Sequence, residues 1–250
     1  MKRLELFGLE NIGEVREGDS VAALICSACD RLGIALAHDD VLVIAQKIVS
    51  KTEGRTVSLD QVTPSPRALI LARELDKEPE LVEVILRESR RVIRSGGRAL
   101  IVETEHGFIC ANAGVDQSNV GLRRVALLPL DPDRSARQIR AEIAERTGKR
   151  PAVIISDSFG RAWRVGTVDI AVGIAGMKAL RDERGLDDPY GYRLKAAVAA
   201  VADEIAAAAE LVMGKRDGIP AVIVRGCNIE GKEDGSVREL LRPEAEDLFR

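Results

Sequence analysis

The chain has 250 residues, 46% apolar and 31% charged, with a net charge of −3. That is the balance of a globular protein long enough to bury a full core. Such a charge gives no global pull toward nucleic acid or an anionic membrane, and 3% aromatic residues leave no base-stacking surface, so neither partner is expected.

The N-terminus, MKRLELFGLENIGEV, turns acidic where a signal peptide needs an apolar stretch, and no apolar run is long enough to span a bilayer. A cytoplasmic chain is therefore expected. In DSVAALICSACDRLG apolar residues recur at helical spacing, with Cys26 and Cys29 on one face. Their C-x-x-C spacing also occurs in zinc and redox sites, but zinc needs a second ligand pair, and Cys110 and Cys227 stand alone. The pair reads as small buried hydrophobes. His38 and His106 are far apart, which disfavours histidine-ligated zinc and Ser–His triads.

Residues 40–49, DVLVIAQKIV, read as a buried strand, followed by the polar turn SKTEGR. Gln46, Lys47, Ser50, Lys51, Glu53 and Arg55 gather near its end. Such cations can hold phosphate oxygens; an ordinary solvated turn has the same composition. Helices are predicted from Pro66 to about Leu75 and from Pro79 to about Glu88, each with proline in its first turn. Residues 99–104 and 107–111 read as two strands around a turn.

The stretch NAGVDQSN places Asn112, Asp116, Gln117, Ser118 and Asn119 together. Hard cations such as magnesium take oxygens of this kind. An Asx turn, in which Asp bonds its own backbone, uses the same residues. Next, DPDRSARQIRAEIAERTG reads as a helix with Asp133 as N-cap and Gly148 as stop. It leads to the apolar strand PAVIIS, which delivers Asp157 and Ser158 to its carboxyl end. In ISDSFGRAWRVG, Arg161 and Arg164 follow closely. Carboxylate and hydroxyl can bind a metal, and arginines can clamp phosphate or carboxylate; a structural salt bridge to Asp157 competes with that reading.

Residues 166–174 and 220–225 are further predicted strands. Between them a long helix is expected from about Tyr192 to Met213, with Leu194, Val198, Val201, Ile205 and Val212 as its apolar stripe. The segment MGKRDGIPAVIVRG turns from that helix into a strand through a basic, glycine-flanked loop. Residues 236–250 read as a surface helix. Neither G-x-x-x-x-G-K-[ST] nor G-x-G-x-x-G occurs. Irregular alternation of strands and helices predicts an α+β or mixed α/β fold of two interleaved subdomains, with no P-loop and no Rossmann motif.

In this order, IVSKTEGR, ICANAGVDQSN, LLPLDPDRSA, ISDSFGRAWRVG, VADEIAAAAELVMG and DGIPAVIVRG resemble the coenzyme F420-0:L-glutamate ligase family, the gamma-glutamyl ligases of deazaflavin coenzyme biosynthesis. The resemblance covers almost the whole chain. It implies a homodimer that uses GTP and divalent cations, manganese or magnesium, with a monovalent cation such as K+ as a further expectation. It also implies the chemistry: GTP phosphorylates the lactyl carboxylate of coenzyme F420-0, and L-glutamate attacks the acyl phosphate. Carried over residue by residue, the metal ligands fall on Asp116, Asp157 and Ser158. Nucleotide contacts fall on Ile12, Gly13, Glu14, Val15, Gln46, Lys47, Lys51 and Asn119. Further contacts fall on Met213, Gly214, Lys215, Arg216, Asp217, Gly218 and Ile219. Asp116 and Asp157, with Arg161 and Arg164, are the expected catalytic set.

Two departures stand out. Archaeal-type members carry Ser-Thr where this chain has Gln46–Lys47, and an acidic metal ligand near Lys215. Some bacterial relatives append a flavin-binding reductase domain. This chain stops at residue 250, so no flavin is expected, and residues 1–250 are read as a single ligase domain.

Overall fold

The computed structural model describes residues 2–229 and 235–248. Strand β1 (Glu5–Gly8) is followed by helix α1 (Val21–Leu32). The Ser20 hydroxyl caps α1 by accepting from the Ala23 amide, and Gly33 ends it in the left-handed conformation. Cys26 and Cys29 lie on α1 as free thiols, Cys29 buried and Cys26 half-buried. Burial pushes the Cys29 thiol up to about 11, against thiolate chemistry.

Strand β2 (Val41–Ala45) is shorter than predicted. At Gln46 the chain turns into helix α2 (Gln46–Thr52). Both strand and helix bury an apolar run here, and a run this short carries no period that separates them. After β3 (Thr56–Ser58) come α3 (Pro66–Leu75) and α4 (Pro79–Arg87), both as predicted, each with proline in the first turn. Then follow β4 (Ser89–Gly96), β5 (Ala99–Thr104), β6 (Ile109–Ala111) and β7 (Arg124–Ala126).

Helix α5 (Pro132–Thr147) is capped by Asp131, not Asp133. Pro132 occupies the first helical position, which assigns the cap to its predecessor. Asp133 is buried instead; its carboxylate accepts from the Ile174 amide at 2.9 Å and the Ser236 hydroxyl at 2.6 Å.

Strands β8 (Ala152–Arg161) and β9 (Arg164–Ala175) form one long hairpin. Residues 152–156 of PAVIIS and 171–174 of GTVDIAVGI are its buried inner halves, Gly166 and Thr167 are exposed, and ISDSFGRAWRVG continues both strands out to the tip. The pairs β10 (Arg181–Asp182) and β11 (Val198–Ala199) come next, then α6 (Val201–Met213) and β12 (Ala221–Arg225). The helix predicted from Tyr192 therefore begins only at Val201. Residues 193–199 pair instead with 181–187, and that tertiary pairing overrides local helix preference. Residues 236–248 hold short 3-10 turns, not the expected surface helix, with Pro243 between them; residues 249–250 lie outside the described part.

The main sheet has the order β1-β12-β2-β8-β9, with β2 and β8 parallel and the other pairs antiparallel. Residues 41–44, 152–156 and 221–224 are all buried. Since successive strand residues face opposite sides, both faces of the sheet are covered. Helices α5 and α6 supply cover, and α1 packs against α5. A Cβ at Gly173 would lie 2.5 Å from the Pro132 carbonyl, so the start of α5 sits directly on β9.

A second apolar core joins α3 and α4 to β5 and β7 through Ala72, Leu75, Val82, Ile85, Leu100 and Val125. The architecture is α+β. Two cores are built from one interleaved chain.

Candidate functional site

The parallel strands β2 and β8 end level, Ala45 opposite Ser156. There they part: β2 feeds α2, while β8 runs on along the hairpin. A crevice at the carboxyl ends of parallel strands is a common ligand site. Here it is a cleft of about 310 Å³.

Five segments wall the cleft: Gly13 and Val15; Gln46, Lys47, Ile48 and Lys51 of α2; Asp116, Ser118 and Asn119; the β8–β9 hairpin; and the loop after α6. Gln46 and Lys47 were expected on a strand end. Helical geometry changes their roles: Ser50, one turn on, donates to Gln46 Oε1 at 2.7 Å. Gln46 is only 2% exposed, and its Nε2 finds no partner among the described residues. An unmade bond on a buried amide at a cleft wall is a donor available to an oxygen-rich ligand. Glu53 and Arg55 turn away, Glu53 accepting from Ser135 and Arg55 donating to the Leu128 carbonyl.

The Asp116 backbone is pinned by two hydrogen bonds with Ala126. One carboxylate oxygen accepts from the Ser118 amide at 2.7 Å, the Asx turn; the other is 2.8 Å from Lys47 Nζ. Lys47 also donates to the Ser118 hydroxyl at 2.7 Å. Burial works to raise the proton affinity of Asp116, but the Lys47 ammonium and the Ser118 amide outweigh it and hold this carboxyl below its usual range. Asp157 is the opposite case. Burial, opposed by the Ser158 amide and Lys47 but reinforced by the charges of Asp116 and Asp169, pushes it up to about 7.

Among the described residues no group of three or more His, Cys, Asp or Glu is gathered to hold a metal. Asp116, Asp157 and the Ser158 hydroxyl are nevertheless hard oxygen donors around one cleft. Magnesium and manganese complete such partial shells with phosphate and water oxygens. The donor set fits a hard cation of that kind.

Residues 10–226 match the family described as F420-0:Gamma-glutamyl ligase. The chain belongs to that family. It is 49% identical over 249 residues to the coenzyme F420:L-glutamate ligase of Methanothermobacter thermautotrophicus, covering 99% of each chain. To the ligase of the same name from Archaeoglobus fulgidus it is 45% identical, over 99% of this chain and 97% of that one. For Methanocaldococcus jannaschii the figures are 47% identity and 84% of each chain.

In this member of the F420-0:gamma-glutamyl ligase family, the cleft collects most residues singled out from sequence. Beyond those already named, Ser158, Met213, Gly214, Lys215, Arg216, Gly218 and Ile219 line it. Asn119 reaches across, its Nδ2 donating to the Lys215 carbonyl at 3.5 Å. Ile12 is buried in the core, and Glu14 and Asp217 are exposed; none of the three lines the cleft.

Arg161 and Arg164 do not line it either. They face one another across the tip of the β8–β9 hairpin, both exposed, with Trp163 at positive φ between them. Arg161 donates to the Val165 carbonyl at 2.9 Å. Arg161 lies four positions beyond Asp157 along the strand, about 13 Å. Neither the expected clamp beside Asp157 nor the salt bridge to it is made within this chain, because ISDSFGRAWRVG extends instead of turning. Asp169, Ser156 and Glu210 line the cleft without having been singled out. An aspartate interrupting the apolar strand GTVDIAVGI was the available signal for Asp169.

Proposed function

We propose that this chain joins L-glutamate to coenzyme F420-0 with consumption of GTP, acting as a cytoplasmic homodimer. One observation carries the reading. A single cleft, in a chain nearly half identical to enzymes named coenzyme F420:L-glutamate ligase, combines cationic groups for a polyphosphate with carboxylates suited to a hard cation.

In this reading Lys47 and Lys51 hold phosphate oxygens, and the free Gln46 Nε2 donates to a further acceptor of the nucleotide. Asn119 and the loop from Met213 to Ile219 shape the opposite wall. Asp116, Asp157 and Ser158 would hold Mn2+ or Mg2+, with K+ as an additional monovalent partner. The divalent ion supplies charge neutralisation around the transferring phosphoryl group.

A carboxylate oxygen of the precursor attacks the γ-phosphorus of GTP, the bond to the bridging β-oxygen breaks, and GDP leaves. The α-amino group of glutamate then attacks the acyl carbon, phosphate departs, and the amine proton passes to solvent. Activation is needed because a free carboxylate is a poor acyl donor. Lys47 exchanges Asp116 for a phosphate oxygen when the nucleotide enters, so the partly buried carboxylates are left to the cation.

The test is mass spectrometry of the deazaflavin after incubation with coenzyme F420-0, L-glutamate, GTP and Mn2+ or Mg2+, with GDP and phosphate measured in parallel. A glutamyl adduct formed only with GTP and metal is expected. Phosphate release without adduct would assign the site to another carboxylate acceptor.

A further inference from the structure

Ser156 and Ser158 are two residues apart on β8 and therefore share one face of the strand. Directly opposite Ser158 on β9 stands Asp169. The residue is 6% exposed, and each carboxylate oxygen accepts one serine proton: Oδ1 from Ser158 Oγ at 2.6 Å, Oδ2 from Ser156 Oγ at 3.0 Å. All three residues line the cleft, and among the described residues no lysine or arginine pairs with Asp169.

A serine hydroxyl has one proton to give and two lone pairs to offer. Left alone it rotates, and it can meet a ligand as donor or as acceptor. Asp169 removes that choice. The carboxylate accepts only, so the Ser158 proton is committed to it and the lone pairs face the cleft. Ser156 engages the second carboxylate oxygen and stops the group from rotating away. The arrangement suits a cation and disfavours a hydrogen-bond acceptor at the same spot, because no O–H is left pointing outward. Its logic is that of the outer groups that orient ligands in metal sites.

We propose that Asp169 is a positioning residue that fixes Ser158 as an obligate oxygen donor to a divalent cation. The inference rests on the reading of Ser158 as a metal ligand. Asp169→Asn keeps the shape but introduces an amide N–H₂, which competes for the Ser158 oxygen and turns the hydroxyl proton toward the cleft.

The test is a double-mutant cycle on the full chain, with Mn2+ alone as probe and its dissociation constant read from the free-ion electron paramagnetic resonance signal. Asp169→Asn is expected to weaken Mn2+ binding about 10- to 100-fold, the range for outer groups of metal sites. Ser158→Ala should weaken it comparably, and Asp169→Asn added to Ser158→Ala should cost less than about twofold more. A full second loss in the double variant would make Asp169 act independently of Ser158 and overturn the proposal. So would wild-type affinity in Asp169→Asn alone while Ser158→Ala is weakened. If Ser158→Ala binds Mn2+ as the unaltered chain does, or the unaltered chain binds none, the metal reading itself fails. Should Asp169→Asn not fold, Asp169→Ala replaces it with the same expected and overturning results.

Discussion

Lys47 Nζ lies 2.8 Å from Asp116 Oδ2, joining the first turn of α2 to the loop that precedes β7. The partners are 69 positions apart in the chain, a difference of 116 and 47, and meet only at the cleft. With side chains 17% and 31% exposed, the pair is shielded enough to depress Asp116 yet open to exchange with a ligand.

Replacing Lys47 by methionine tests what the ammonium is for. As a partly exposed pair it contributes up to about 1 kcal/mol to stability, so the melting temperature should move by a few degrees at most. A charged hydrogen bond to phosphate is stronger, about 1.5–3 kcal/mol, which predicts a KM for GTP raised roughly ten- to hundredfold. Steady-state kinetics at saturating precursor and glutamate measure it. An unchanged KM would leave Lys47 as a structural partner of Asp116 only.

Asp157 makes the chain's stability depend on pH in a definite direction. Its carboxyl is raised from 3.8 to about 7, so the folded chain holds this proton more tightly than the unfolded one. Between those values the unfolded state has already lost the proton, and stability from this group falls as pH rises. Asp157→Asn, always neutral, escapes that loss. In chelator the variant should melt near the unaltered chain at about pH 4 and several degrees above it at about pH 8. Its turnover with metal and GTP should fall by at least about a hundredfold, the scale of losing a group used in the transition state. Equal melting temperatures at both pH values would show that the buried carboxyl carries no such cost.

The Cys26→Ala, Cys29→Ala double variant should retain turnover and metal content within about twofold. Stability should fall by roughly 1–2 kcal/mol as buried volume is lost. Zinc content by atomic absorption and urea unfolding are the measurements. Stoichiometric zinc lost on substitution would contradict the packing role.

Gly173→Ala probes the seat of α5 on β9. The new methyl would meet the Pro132 carbonyl carbon and oxygen at 2.5 Å, both backbone atoms. Overpacking of this kind costs about 1–3 kcal/mol, or roughly 2–4 °C per kcal/mol for a chain of this size. A melting temperature within a degree of the parent would mean that α5 can shift freely.

Much of the fold was legible because local signals and tertiary needs agree. Ser20 and Gly33 bracket α1, prolines open α3 and α4, and the unbroken apolar stretches around Val43, Ile154 and Val222 are the strands buried on both faces. The sequence by itself also determined which chemistry was available: hard oxygens in NAGVDQSN and ISDS, lysines after β2, and a glycine-flanked basic loop after α6.

Tertiary structure decided the rest. An apolar run of ten residues does not say where strand yields to helix, so Gln46 and Lys47 moved from a strand end to the first turn of α2. The segment before Val201 looks helical alone, but pairing with residues 181–187 holds it extended. Arg161 and Arg164 are close to Asp157 in sequence and remote in space, because a strand advances about 3.3 Å per residue where a turn would fold back. Asp169 is distant in sequence and in contact with Ser158, because antiparallel register sets them opposite each other. Spacing along a chain measures proximity only inside one element; across strands, register decides it.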